Sequence, residues 1–146
     1  MTAPDSDQVV AALAGGGFVV TWQSQDQDGS VKGIYAQRYN AAGVAQGAEF
    51  RVNDTVAGNQ QHPDIAVNSM GRAVVTWLRG NEQSAALLAR PYTVDGPAGR
   101  AIEVTGADAS RAGGFPQVAL AGDGLVFAWT ESGPEPRVRS VYARLR

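Results

Sequence analysis

The sequence lacks cysteine altogether and contains a single histidine, His62. Disulfides, thiolate metal sites and cysteine nucleophiles are therefore excluded. One imidazole cannot form a histidine-cluster metal site, and it argues against a Ser-His-Asp triad. Any acid–base chemistry would have to rest on carboxylates such as Asp64 or Glu131, whose separation the sequence does not fix.

Charge and long apolar segments are also scarce. Charged residues make up 18% of the chain and the net charge is −2 at pH 7, so we expect no nucleic-acid partner. No apolar run approaches the roughly 20 residues needed to cross a bilayer, which predicts no membrane span. The residues after Met1 lack the charged and apolar regions of a signal peptide, and we expect none in this sequence.

Apolar and turn-forming residues are abundant instead. With 44% hydrophobic residues and 18 glycines among 146 residues, the composition excludes a disordered chain and permits a core. We expect a single domain over residues 1–146. Its most regular feature is a tryptophan motif that recurs at intervals of about 50 residues. The three copies are Val19–Trp22, Val74–Trp77 and Val126–Trp129.

Short segments rich in Val, Tyr and Thr flank each motif, and turn-forming residues separate them, which is typical of β-strands. A meander of four antiparallel strands repeated at this period is the sequence form of β-propeller blades. The predicted fold class is all-β, with three four-stranded antiparallel blade-like repeats over approximately residues 7–56, 60–106 and 114–146, which is half a β-propeller. The third repeat ends before its fourth strand. A closed β-sandwich or barrel is the alternative.

The three tryptophans have two interpretations. Their identical setting in a Val-rich strand predicts that Trp22, Trp77 and Trp129 pack between neighbouring blades. Stacking on a sugar ring is the alternative, since aromatic rings also bind in that way.

Two parts of the chain resemble known repeats. Gly17–Ser24, Asp26–Ser30 and Gly33–Tyr39 together resemble repeats of large secreted bacterial proteins that are labelled calcium-binding or adhesin-like. Phe115–Leu120, Trp129 and Val141–Arg144 resemble blades of bacterial sialidase-like propellers, but the sialidase Asp-box, Ser-x-Asp-x-Gly-x-x-Trp, is absent. The resemblance implies a blade-like fold and a secreted or cell-surface bacterial protein, and it implies no activity.

The loop from Asp26 to Ser30 is the one candidate metal site. Asp26 and Asp28 could supply oxygen ligands to Ca²⁺. An EF-hand is excluded, because Val31 and Gln37 stand where its glycine and final glutamate are required. A solvated hairpin loop explains the same residues. We expect that folding needs no Ca²⁺ and no other cofactor.

Four further residues are candidates for ligand contact. Arg38, Arg90 and Arg144 occupy matching places in the third strands, and a planar guanidinium can clamp a carboxylate, as the arginine cluster of sialidases does. Surface or inter-blade ion pairs are the alternative. His62 begins an innermost strand, where either a ligand contact or a plain surface position is possible.

These observations predict a protein that is not an enzyme. The main interpretation is a non-catalytic propeller-type module for binding or assembly, for example on a glycan or a cell surface. A structural or engineered fragment and a remnant of a sialidase-like glycosidase are the alternatives. Because propellers close with about four to eight blades, we expect a homodimer with a six-bladed ring, or less readily a nine-bladed trimer. The segment from Thr2 to Gln8 is predicted to supply the missing fourth strand.

Overall fold

The chain forms three antiparallel β-sheets, one after another along the sequence. A computed structural model describes residues 6–13, 15–25, 32–53, 60–69, 71–80, 85–93, 96–104, 112–121, 124–131 and 137–144. Sheet I contains β1 (Ser6–Ala12), β2 (Phe18–Gln25), β3 (Lys32–Tyr39) and β4 (Ala45–Arg51). Sheet II contains β5 (Gln60–Val67), β6 (Ala73–Gly80), β7 (Ala85–Thr93), β8 (Gly96–Pro97) and β9 (Ile102–Glu103). Sheet III contains β10 (Ala112–Ala121), β11 (Gly124–Glu131) and β12 (Arg137–Arg144).

Each sheet is a meander in which consecutive strands pair. In sheet II the fourth place is shared, because β8 and β9 both pair with β7. The prediction of an all-β chain of blade-like repeats is confirmed, with three strands described in the last sheet. Within the described part of the chain, no helix has the length and apolar character to cross a membrane.

The first strand of each sheet is the innermost one. β5 of sheet II contacts β1 on one side and β10 on the other, so the three first strands lie side by side at the centre. Residues 6–8 belong to β1, where Ser6 pairs with Gln23 of β2. The predicted use of the Thr2–Gln8 segment as a fourth strand for the third repeat is therefore wrong for residues 6–8, which are part of the first strand of sheet I. Residues 2–5 of that segment lie outside the described residues.

Two apolar clusters join the sheets face to face. Alternate residues of a strand point to the same face of its sheet, so the Val, Ile and Leu side chains there pack against the next sheet. The cluster between sheets I and II consists of Val19, Ile34, Ala36, Val52, Ile65, Val75, Trp77, Leu88 and Tyr92. The cluster between sheets II and III consists of Val74, Leu78, Leu87, Ala89, Val118, Leu125 and Phe127. Successive residues of β6 thus face opposite neighbours, which makes sheet II the middle layer.

Asparagine and glycine close the tight turns that join β3 to β4 and β5 to β6. The side-chain Oδ1 of Asn40 accepts hydrogen bonds from the N–H groups of Ala42 and Val44. Asn68 Oδ1 accepts one from the N–H of Arg72, across a turn in which Gly71 has a φ of 80°. Only glycine adopts this backbone conformation without strain, which explains the Asn-x-x-Gly spacing of the turn.

Candidate functional site on the innermost strands

A β-bulge interrupts each innermost strand at the same place, directly opposite a tryptophan. In β1 the pairing moves from Ser6–Gln23 to Val9–Thr21, so two residues oppose Trp22 alone. In β5 it moves from Gln61–Leu78 to Asp64–Thr76, so His62 and Pro63 oppose Trp77. In β10 residues 114–116 oppose Trp129. Bulges bend a strand and change the direction of its side chains, and they are common beside active sites.

The bulge of β5 places Asp64 between two sheets. Asp64 is half-buried, and its Oδ2 accepts a hydrogen bond of 2.8 Å from the N–H of Val118 on β10. Burial raises the pKa of Asp64 above its ordinary value of 3.8, and hydrogen bonds from the N–H groups of Val118 and Ile65 lower it by less. The net effect favours the protonated carboxyl group, because desolvation penalises the charged form.

His62 and Gln60 hold the bulge in position. His62 has a φ of 54°, and its backbone N–H donates to Oε1 of Gln23, on β2 of sheet I, at 3.1 Å. Gln60 is 1% exposed, and its Oε1 accepts a hydrogen bond of 2.7 Å from Nε1 of Trp77. The start of β5 is therefore fixed by one side chain of its own sheet and one of the neighbouring sheet.

Sheets I and II also enclose a cleft of about 270 Å³ toward the opposite ends of their strands. Its walls are mostly apolar, with Val19, Phe50 and Ile65 among them, while Arg38 and Gln46 supply polar atoms. This volume is near the lower limit of small-molecule pockets. The described walls contain no carboxylate, so the cleft offers no acid–base pair of its own.

Two of the three candidate arginines, Arg38 and Arg90, have described side chains, and their environments differ. Arg38 is half-buried at the cleft. Arg90 donates from Nη1 to the carbonyl of Val52 at 2.9 Å and from Nε to the carbonyl of Gly99 at 3.0 Å. Its Cζ atom lies 5.7 Å from the centre of the Tyr92 ring. Arg90 therefore joins sheet II to the segment that follows β4.

The predicted tryptophan positions differ among the sheets. Trp77 is 1% exposed and belongs to the cluster between sheets I and II. Trp22 is half-buried, with its ring centre 6.5 Å from that of Tyr35, and its buried Nε1 has no hydrogen-bond partner among the described residues. The side chain of Trp129 lies outside the described part of the structure.

Other predicted positions also fall outside it. Asp26 and Asp28 lie outside the described residues, as does the side chain of Arg144. Among the residues that the structure does describe, no group of three His, Cys, Asp or Glu side chains is placed to hold a metal ion.

From the sequence, Asp64 is one of several carboxylates with no distinguishing motif, and Gln60 is not a predicted site residue. One signal was available, namely the polar run Gln60-Gln61-His62-Pro63-Asp64 at the start of a strand that is otherwise apolar. Proline inside a strand indicates an edge or a bulge, because it cannot donate to the ladder. Together with the innermost position of this strand, the proline indicates a bulge next to Asp64.

No protein-family model and no curated protein matches the chain. It is similar in structure to an endo-arabinase from Bacteroides thetaiotaomicron, with a TM-score of 0.56, 16% identity, and coverage of 97% of this chain and 56% of that one. It is also similar to a thermostable family-43 glycoside hydrolase, with a TM-score of 0.58, 12% identity, and coverage of 94% and 54%. The chain thus spans about half the length of these structures.

These similarities support the β-propeller part of the predicted resemblance and not the calcium-binding or adhesin-like part. They also correct the prediction that the chain is not an enzyme. That prediction was based on blade-like repeats that lack an Asp-box. Both structural neighbours, however, are glycoside hydrolases.

Proposed function

We propose that this chain takes part in the hydrolysis of a glycosidic bond, with Asp64 as the proton donor. The observation that supports this most directly is the position of a half-buried carboxyl group with a raised pKa on an innermost strand, beside a bulge. A general acid must still hold its proton near the working pH, and glycosidases achieve this by desolvating one carboxyl group.

The reaction needs a second carboxylate. One carboxylic acid protonates the leaving oxygen, and the other either activates a water molecule or attacks the anomeric carbon. The pairing registers of β1 and β5 indicate one candidate for this second carboxylate. Asp7 lies in the bulge of β1, at the place that His62 occupies in the bulge of β5. Since β1 and β5 are adjacent, the two bulges bring Asp7 and Asp64 to neighbouring innermost strands.

The substrate class is proposed from the structural neighbours. One is named an endo-arabinase and the other a family-43 glycoside hydrolase, so linear arabinan is the first substrate to test. At 16% and 12% identity these neighbours share the fold alone with this chain, and the substrate therefore has to be established by experiment.

The experiment measures reducing ends released from linear arabinan and from a panel of other polysaccharides. We expect hydrolysis by the wild type, and Asp64→Asn should lower kcat/KM by about 10²- to 10⁴-fold, the usual contribution of a general acid. Glu103→Gln is the matched control, because Glu103 is an exposed carboxylate on β9 and should leave kcat/KM unchanged. Circular dichroism and melting confirm that each variant is folded.

Two results would contradict the proposal. One is a folded wild type that hydrolyses nothing on the panel, and the other is an Asp64→Asn variant with full activity. The kcat profile against pH adds a separate check. If Asp64 donates the proton, activity falls as pH rises through its pKa, because the acid form is lost. Asp7→Asn should reduce activity without removing that basic limb.

A further inference from the structure

Equivalent positions on the three sheets differ in exposure between the middle sheet and the two end faces of the chain. Val19, Val74 and Val126 occupy one register position, opposite Ala11, Ala66 and Ala119 respectively. Val19 is 6% exposed and Val74 is 0% exposed, because each lies against the following sheet. Val126 is 36% exposed and Ala119 is exposed. Sheet III therefore carries the same Val and Ala surface, uncovered.

The opposite end shows the complementary pattern. Val10, Ile65 and Val118 occupy a second register position on the innermost strands. Ile65 is 8% exposed and Val118 is 9% exposed, since each contacts the preceding sheet, whereas Val10 is 64% exposed. Trp22 lies on the same face as Val10, as Trp77 lies on the same face as Ile65. Sheet I therefore carries the tryptophan-bearing half of the interface, also uncovered.

We propose that a second copy of this chain covers both faces, with the Val10 face of each copy packed on the Val126 face of the other. The two faces are the two halves of a contact that the chain already makes twice, between sheets I and II and between sheets II and III. A two-fold axis through the centre pairs all four end faces. The ring then contains six sheets, within the range of about four to eight blades found in propellers.

The choice of a second copy follows from complementarity. The surface that covers Ile65 and Trp77 within the chain is the Val19 face of sheet I, and its equivalent on sheet III is the Val126 face. Burial of apolar side chains such as Val10 and Val126 favours association. The proposal is independent of the catalytic role of Asp64.

The first experiment measures solution mass by light scattering coupled to size exclusion. We expect twice the chain mass of 15.2 kDa for the wild type. Val10→Asp and Val126→Asp should each halve that mass, because each places a charge in both contacts of the ring. Val44→Asp is the matched control, since Val44 is 57% exposed in the turn between β3 and β4 and belongs to no strand of either end face, and it should remain dimeric. Far-UV circular dichroism shows whether each variant is folded.

A second experiment keeps the proposal testable if a variant fails to fold. Because the chain has no cysteine, single-cysteine variants report contacts between copies only. Val10→Cys mixed with Val126→Cys should cross-link efficiently with a short bismaleimide. Val44→Cys mixed with Val126→Cys should not, and neither should Val10→Cys alone. A wild-type monomer at every concentration, cross-linking of Val10→Cys to itself, or equal yields in all mixtures would overturn the proposal.

Discussion

Asp64 accepts a hydrogen bond of 2.8 Å from the backbone N–H of Val118, 54 residues further along the chain. Val118 lies on β10, which pairs with β11 on only one of its edges. The carboxyl group of sheet II therefore satisfies a donor on the free edge of sheet III, and the same side chain is the proposed acid. In the proposed function, this one residue therefore serves both in the contact between sheets and in proton donation.

The raised pKa of Asp64 predicts a pH-dependent stability. Above its ordinary value of 3.8, the folded chain retains a proton that the unfolded chain loses. The contribution of this group to the free energy of unfolding is therefore complete below 3.8 and is lost as pH rises through the folded pKa. Asp64→Asn stays neutral and its amide oxygen can still accept the Val118 N–H, so this fall should disappear.

Urea denaturation at a series of pH values, with protein concentration held fixed, measures this effect. The wild type should lose stability relative to Asp64→Asn across the interval above 3.8. Glu103→Gln, which changes an exposed carboxylate, should keep the wild-type slope. Parallel curves for the wild type and Asp64→Asn would show that the Asp64 pKa is not raised by folding.

Gln60→Leu should destabilise the fold. The substitution leaves Nε1 of Trp77 buried without its acceptor, and an unsatisfied buried donor costs about 1–3 kcal/mol. Gln46→Leu is the control, because exposed Gln46 bonds only to carbonyls next to it in sequence and should change little. Chemical denaturation monitored by tryptophan fluorescence gives both values. Equal stabilities for the two variants would rule out the proposed cost.

His62 should respond to substitution according to backbone conformation. At a φ of 54° glycine is unstrained, whereas a β-branched residue is a rare outlier. His62→Val should therefore lower the free energy of unfolding by about 1–3 kcal/mol, and His62→Gly should be close to the wild type or more stable. Thermal melting of the pair distinguishes backbone strain from loss of the imidazole. Loss of stability in both variants to the same extent would favour a side-chain role.

Arg90→Lys should weaken the contact between sheet II and the segment after β4. Lysine cannot reproduce the bonds from Nε and Nη1 to the carbonyls of Gly99 and Val52, and bonds from a charged donor contribute about 1.5–3 kcal/mol. The destabilisation should be smaller than this, because solvent screens the half-buried guanidinium of Arg90. Arg72→Lys, at an exposed turn residue, is the control. A denaturation midpoint that moves equally in both variants would contradict the prediction.

The sequence was sufficient for the fold, because strand patterning and the spacing of Trp22, Trp77 and Trp129 are local properties. It also indicated which turns are tight, since asparagine and glycine act within a few residues. The burial of individual side chains, in contrast, could not be predicted from local sequence. Trp22 and Trp77 have the same local sequence and different surroundings, because the second has a sheet packed on its face and the first does not.

The candidate site was harder to predict for the same reason. The pKa of Asp64 depends on β10, which is remote in sequence, and on a bulge that changes the direction of its side chain. A bulge is visible in sequence only indirectly, here through Pro63. The prediction that the chain is not an enzyme was wrong because it depended on the absence of a known motif, and a motif is only one way to place carboxylates.

The meander order of the strands has a consequence for the folding pathway. Strands pair only within their own sheet, and the members of the cluster between sheets I and II come from those two sheets and from Val52 directly after β4. The molecule is thus a short linear array in which each layer depends on its immediate neighbours, as in other repeat proteins. Folding can begin in any one meander and spread outward. In the separate chain, for example the Val10→Asp variant, the amide hydrogens of sheet II should exchange with solvent last, because this sheet alone is covered on both faces by sheets of its own chain.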